Sequence, residues 1–355
     1  MMIPILEYLL ALGIGISTGL VLQRGRVCTN SAFRNLLLIR NAELSIIILV
    51  AVAVEVSGYF LLTLMPGYVF NANPIQLSFI FLPIGAFIFG FGTVFAGGCA
   101  GGVCYRVGEG NCKSFLALIG FIIGIGAFAI GPIADIFRSV NNRSLLLINN
   151  QTPSLEQFAP RLIWTIAIVV GAGLLSYLFY FRSQGHTLTH LRPRWTPPIS
   201  GAALGILGTL TKYFSSLPPI HRNFGLSTID GIANIVQSIV TLQLFNWAGF
   251  FIIGLIGGSF VSSLSIQEFE LITPKRKDIV EYAFGGFLLG IGAMMAGGCN
   301  IGHIFGGIPE LGISSFLALI LMLVGNWAGS YLYYVRWNNK WPESTPRLRL
   351  QSHST

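Results

Sequence analysis

Charge is what this sequence has least of: Asp, Glu, Lys and Arg make up 10% of its 355 residues. A soluble domain carries roughly 25%, so a water-facing globular fold is excluded. Mean hydropathy is +0.72 and 53% of residues are apolar, the composition of an integral membrane protein. Cysteine is scarce too, five in all. No Cys-x-x-Cys occurs, which weighs against a thioredoxin-like redox motif and against paired zinc ligands. The first apolar run has no basic residue before it and no small-residue cleavage site, so it reads as a span and not as a removable signal peptide.

Lys and Arg exceed the acidic residues, 21 against 13. This excess does not signal nucleic acid, because its distribution follows a bilayer. Apolar runs of about 20 residues predict about nine spans, near 4–23, 43–66, 77–97, 114–135, 161–181, 198–214, 245–265, 280–297 and 314–336. Numbering the loops alternately places Arg138, Arg143, Arg161, Lys212 and Arg222 on one side and the other sixteen basic residues opposite. The positive-inside rule then puts the N-terminus outside and the C-terminus in the cytoplasm.

Glycine fills the space left by charge, with 43 residues, and part of its pattern occurs twice. Gly97-Gly98-Cys99-Ala100-Gly101-Gly102 returns as Gly297-Gly298-Cys299-Asn300-Ile301-Gly302. Phe87, Gly90, Gly92 and Ala96 before the first match Phe287, Gly290, Gly292 and Ala296 before the second. Downstream, the segment from Ser114 to Ile119 reappears from Ser315 to Ile320. With nine spans the equivalent segments face opposite ways, so the repeats are predicted to be inverted, with the working site near the midplane. The expected domains are an N-terminal repeat over 1–150, a connecting span and cytoplasmic linker over 151–197, a C-terminal repeat over 198–340 and a polar tail over 341–355.

Four apolar stretches are too short to cross: about 29–40, 100–107, 227–239 and 301–307. Each follows a turn-like segment such as Gly25-Arg26-Val27-Cys28 or Phe224-Gly225-Leu226-Ser227, and each is predicted to be a re-entrant half-helix. Irregular backbone at membrane depth survives only when buried in protein or lining a pathway. Close packing of helices explains part of the glycine content. It does not explain why a cysteine follows Gly-Gly in both repeats.

Gly25-Arg26-Val27-Cys28, Ala96-Gly97-Gly98-Cys99, the run from Tyr105 to Gly110, and the run from Gly297 to His303 resemble the YeeE/YedE family of bacterial inner-membrane sulfur-compound carriers, nearest to its thiosulfate-uptake branch. The resemblance spans essentially 1–340 and implies an all-α polytopic membrane protein of pseudo-twofold inverted halves, with short helices dipping to the centre. It implies thiosulfate import past three cysteines, here Cys28, Cys99 and Cys299, and a small cytosolic sulfurtransferase-like partner. Cys104 and Cys112 lie outside the family pattern.

Thiosulfate is a dianion with one soft terminal sulfur. Burying it requires oriented dipoles in place of water, and half-helix N-termini supply them where Gly98 and Gly298 let the anion approach the chain. A neutral thiol adds a weak S–H donor and a polarizable surface suited to that sulfur. Thiolates would repel the ion, and burial disfavours them. The expectation is three uncharged stepping stones, with no catalytic residue, no cofactor and no metal. A Cys99–Cys299 thiol oxidoreductase, or a carrier of sulfide, persulfide or a selenium anion, remains the alternative. Glu55, mid-span, is expected to accept N–H groups of a broken helix, with proton coupling as the second reading. Glu55 is also matched with Asn246 in the other half. Glu109 is expected to tie its loop to Arg106 or to a helix end. Asn300 follows the second thiol. His303, one turn beyond it, is expected to hold a satisfied hydrogen bond, with a place facing the outer vestibule as the second reading; Arg26, Arg106 and Arg222 lie near the mouths, where they could attract anions, although topology alone accounts for the first two.

Overall fold

The computed structural model describes residues 2–38, 41–130, 132–148, 151–183, 195–217, 220 and 223–337. Arg222, linker residues 184–194 and the expected tail over 341–355 lie outside the described residues. Helices account for the described chain, and no β-strand occurs among the described residues, only isolated bridges. In order they are α1 (Met2–Gly25), α2 (Thr29–Leu38), α3 (Glu43–Leu64), α4 (Phe81–Phe95), α5 (Ala100–Gly108), α6 (Cys112–Ala129), α7 (Pro132–Arg143), α8 (Arg161–Ser183), α9 (Pro197–Ser216), α10 (Thr228–Thr241), α11 (Trp247–Ser265), α12 (Arg276–Ala296) and α13 (Ile313–Ser330). Residues 300–307 form one more short helix, ending in a π-helical turn over Gly302–Gly307.

Eight of these segments are long and apolar enough to cross a membrane. Helix formation there is obligatory, since lipid offers no partner for a backbone N–H or C=O. The ninth expected span is α9, which is 20 residues long but is not among the eight. Its Lys212 is fully buried and paired with Glu310, so it is not the loop charge that alternate loop numbering made it. Asparagine side chains cap the starts of two of the helices. Asn111 accepts from Lys113 N at 3.0 Å ahead of α6, and Asn246 accepts from Ala248 N at 2.9 Å ahead of α11.

Helix packing follows a reciprocal pattern. Helix α4 packs on α12 and on α13, while α12 packs on α4 and on α6; α1 packs on α11 as α9 packs on α3. Likewise α2 meets α3 and α13, and α10 meets α11 and α6. Helix α8 lies outside the pattern, packs chiefly on α3, and exposes Ile163, Ile166, Val170 and Leu174.

The pairing of α4 with α12 fixes the sense of the relation. A Cβ on Gly85 would fall 2.5 Å from Ala296 N, and one on Gly92 would fall 2.8 Å from Leu288 Cβ. In return, a Cβ on Gly285 would strike Ala96, and one on Gly292 would meet Phe89 N at 2.5 Å. Rising numbers on one helix meet falling numbers on the other, so these equivalent helices run antiparallel.

Candidate functional site

The helix α4 ends at Gly97 and α12 ends at Gly297, both left-handed with φ of +68° and +74°. That turn delivers Cys99 and Cys299 to the starts of the two half-helices. Each sulfur caps its own helix: Cys99 Sγ accepts from Gly102 N at 3.2 Å, and Cys299 Sγ accepts from Gly302 N at 3.3 Å. A sulfur that accepts from the backbone keeps its S–H free to donate elsewhere.

Cys28 arrives from the other direction. The chain leaves α1 through Arg26, at φ +52°, and reaches Cys28 just before α2. Cys28 Sγ stands 3.7 Å from Cys99 Sγ, and both residues are 1% exposed. Both sulfurs crowd the vacant side-chain position of Gly102, at 2.8 and 3.2 Å, so any larger residue there would displace them.

The same construction occurs in the second half with one substitution. Ser227, at the start of α10, takes the place of Cys28: Ser227 Oγ and Cys299 Sγ lie 3.2 and 3.8 Å from the vacant position of Gly302. The first N–H groups of α10, on Thr228 and Ile229, are turned toward Cys299 Sγ. Ile301 packs on Gly101, which brings the two half-helix starts together. Cys28 and Cys99 thus meet, and Ser227 stands beside Cys299 in the same arrangement. The sequence carried a signal for Ser227, since Gly225-Leu226-Ser227-Thr228 follows the same turn-then-helix plan as Gly25-Arg26-Val27-Cys28-Thr29.

One end of this site opens into a cavity of about 430 Å³ lined by Asn73, Ile75, Ser227, Asp230, Gly298 and Gly302, among others. His303 is fully buried beside it. Its Nδ1 is 3.1 Å from Ser315 Oγ, while Nε2 has no partner and lies 3.1 Å from the vacant position of Gly298. Asn300, 2% exposed, starts the half-helix with Oδ1 accepting from Ile301 N at 3.1 Å.

A network of ion pairs lies at the Cys28 end. Arg26 pairs with Glu109 at 2.8 Å and with Glu268, and Gln23 Nε2 donates to both carboxylates at 3.2 and 3.1 Å. Glu109 is thus held by the Arg26 and Gln23 side chains, and neither expected anchor is its direct partner. Arg106 instead donates to the Gly97 carbonyl. Burial holds the Glu109 carboxyl above its usual range, against the lowering influence of Arg26.

Two expectations for Glu55 are corrected. It accepts no backbone N–H: both oxygens are buried without a partner, pressed where Gly208 of α9 leaves room. Gly208 lies mid-helix, where every N–H already bonds within α9. Asn246 is not its counterpart either, because Asn246 caps α11 just as Asn41 Oδ1 accepts from Glu43 N at 3.1 Å at the start of α3. Cys104 is fully buried on α5, and Cys112 is half-buried with Sγ 3.8 Å from the Gly110 carbonyl. Among the described residues no group of three or more His, Cys, Asp or Glu is arranged to hold a metal ion.

The sulphur transport family model matches residues 24–328. The chain is 34% identical to the thiosulfate transporter TsuA of Spirochaeta thermophila, over 91% of this chain and 98% of that protein. It is 28% identical to the thiosulfate transporter TsuA of Escherichia coli, over 91% and 93%. The probable transporter YedE of Escherichia coli is 33% identical over 46% of this chain and 36% of its own length.

Proposed function

Since the chain belongs to the sulphur transport (YeeE/YedE) family, we propose that it imports thiosulfate across the bacterial inner membrane, with its N-terminus outside and its C-terminus in the cytoplasm. The observation that carries this reading is the placement of Cys28, Cys99 and Cys299 at half-helix starts, with the first two sulfurs 3.7 Å apart. A helix start acts as roughly half a positive charge. Four of them, at α2, α5, α10 and residues 300–307, offset about the two charges of the anion without a fixed cation to trap it. Gly98 and Gly298 present no side chain of their own to the approach, where Arg106 and His303 lie beside them.

The anion enters the cavity beside Ser227 and Gly298 and meets the Cys299 S–H with its terminal sulfur. It then passes to the Cys99–Cys28 pair. Cys28 donates to Cys99, and the arriving sulfur replaces that contact. Each contact is weak, so release does not stall the path. The antiparallel pairing of α4 with α12 supports the inverted-repeat reading, with repeats over 1–150 and 198–340 and α8 as the connecting span. Arg26, Arg106 and Glu109 act at the cytoplasmic mouth, and His303 and Asn300 at the outer one. A small cytosolic sulfurtransferase-like protein would receive the product of import.

Radiolabelled thiosulfate uptake into proteoliposomes tests the reading. Wild type is expected to accumulate label while Cys99→Ala, equally well inserted, falls to background. Equal uptake by all three single Cys→Ala variants would refute the relay.

A further inference from the structure

Most threonines inside the helices of this chain donate their hydroxyls one turn back, Thr63 and Thr93 to the carbonyl three residues earlier, while Thr165 of α8 is buried without a partner. Thr18, Thr209, Thr211 and Thr241 each donate to the carbonyl four residues earlier, at 2.6 to 3.0 Å. Thr29 and Thr228 differ. They are the first residues of α2 and α10, where no helical carbonyl lies four residues back. Thr29 is 1% exposed and Thr228 0%, and neither Oγ1 has a hydrogen-bond partner. A buried hydroxyl without a partner is destabilising, so its occurrence at both equivalent positions calls for a cause.

Both threonines lie beside the thiols. The Thr29 hydroxyl neighbours Cys99 Sγ, and the Thr228 N–H is turned toward Cys299 Sγ. Ser227, next to Thr228, lines the open cavity. Each residue therefore brings a buried hydroxyl with no partner at hydrogen-bond distance, the N–H groups of a helix start and a nearby soft sulfur, which the Thr29 hydroxyl faces and the Thr228 backbone faces. An ion with a hard oxygen end and a soft sulfur end needs both kinds of contact at once.

We propose that Thr29 and Thr228 are oxyanion-binding residues that grip the –SO3 end of the substrate at two successive stations, while Cys99 and Cys299 take its terminal sulfur. This rests on the thiosulfate reading above and adds a division of labour: hydroxyls supply affinity for a tetrahedral oxyanion, and thiols supply the preference for sulfur.

The test uses the full chain in detergent and in proteoliposomes, with Thr29→Val, Thr228→Val and the Thr→Ser partners of each. Valine keeps the shape and removes the unpartnered hydroxyl, so melting temperature should hold or rise. Thiosulfate affinity should fall about tenfold, the scale of a lost hydrogen bond to a charged group. Competition by sulfate should weaken in parallel, and serine should restore both. Cys299→Ser should instead narrow the preference for thiosulfate over sulfate. If wild type carries thiosulfate and both valine variants match it within about twofold, this inference is overturned and the transport reading stands. If wild type carries no thiosulfate, both are overturned.

Discussion

Cys28 and Cys99 are close enough that small rotations would bring their sulfurs to the roughly 2 Å of a disulfide. A thiol oxidant that removes two electrons and two protons from the pair should close that bond and block the path. The expected outcome is loss of uptake, recovery on adding reductant, and resistance in Cys28→Ser. A Cys99–Cys299 crosslink in place of it would contradict the packing. In the sequence Gly-Gly marks Cys99 and Cys299, while Cys28 was singled out by the family resemblance. Ser227 was not, because a hydroxyl hid its likeness to Cys28. Glu55 was misread for a different reason: a mid-span carboxylate announces a need for partners, but only the fold shows that its oxygens face Gly208.

The half-helices depend on the glycine turns that precede them. Gly297 has φ +74°, where a side chain costs roughly 1–2 kcal/mol, and a Cβ there would also press on Ile75 at 3.2 Å. Gly297→Ala should lower the melting temperature and weaken thiosulfate affinity together, measured by thermal unfolding with and without ligand. Unchanged behaviour would mean that the turn does not aim Cys299. At this scale the sequence was informative. Half-helices expected near 29–40, 100–107, 227–239 and 301–307 match Thr29–Leu38, Ala100–Gly108, Thr228–Thr241 and residues 300–307. Short apolar runs after glycine turns have few other conformations at membrane depth. Helix α7 escaped notice because its apolar face merged with the run before it.

Across the whole molecule the two ends of the path differ. One opens into a cavity of about 430 Å³, and the other is tied by Arg26, Glu109, Glu268 and Gln23. Protonating Glu109 removes its ion pair with Arg26 and leaves only the Glu268 half of the tie, and burial makes Glu109 gain a proton at higher pH than an ordinary carboxylate. Acidifying the Cys28 side should therefore loosen the tie and raise the rate at which a small aqueous thiol reagent labels Cys28. Glu109→Gln should label quickly at every pH. A flat profile in wild type would show that the pair does not close the path. The sequence could place Arg26 and Glu109 near one mouth, but not join them, because 83 positions separate them. With Ser227 at one door of the corridor and Cys28 at the other, traffic inward and outward starts at unequal speeds. Such lopsided furnishing shapes kinetics alone, because microscopic reversibility keeps a passive corridor from holding a gradient. A cell that stores the ion through this route must consume it promptly on the inner face, or send a second ion along with it.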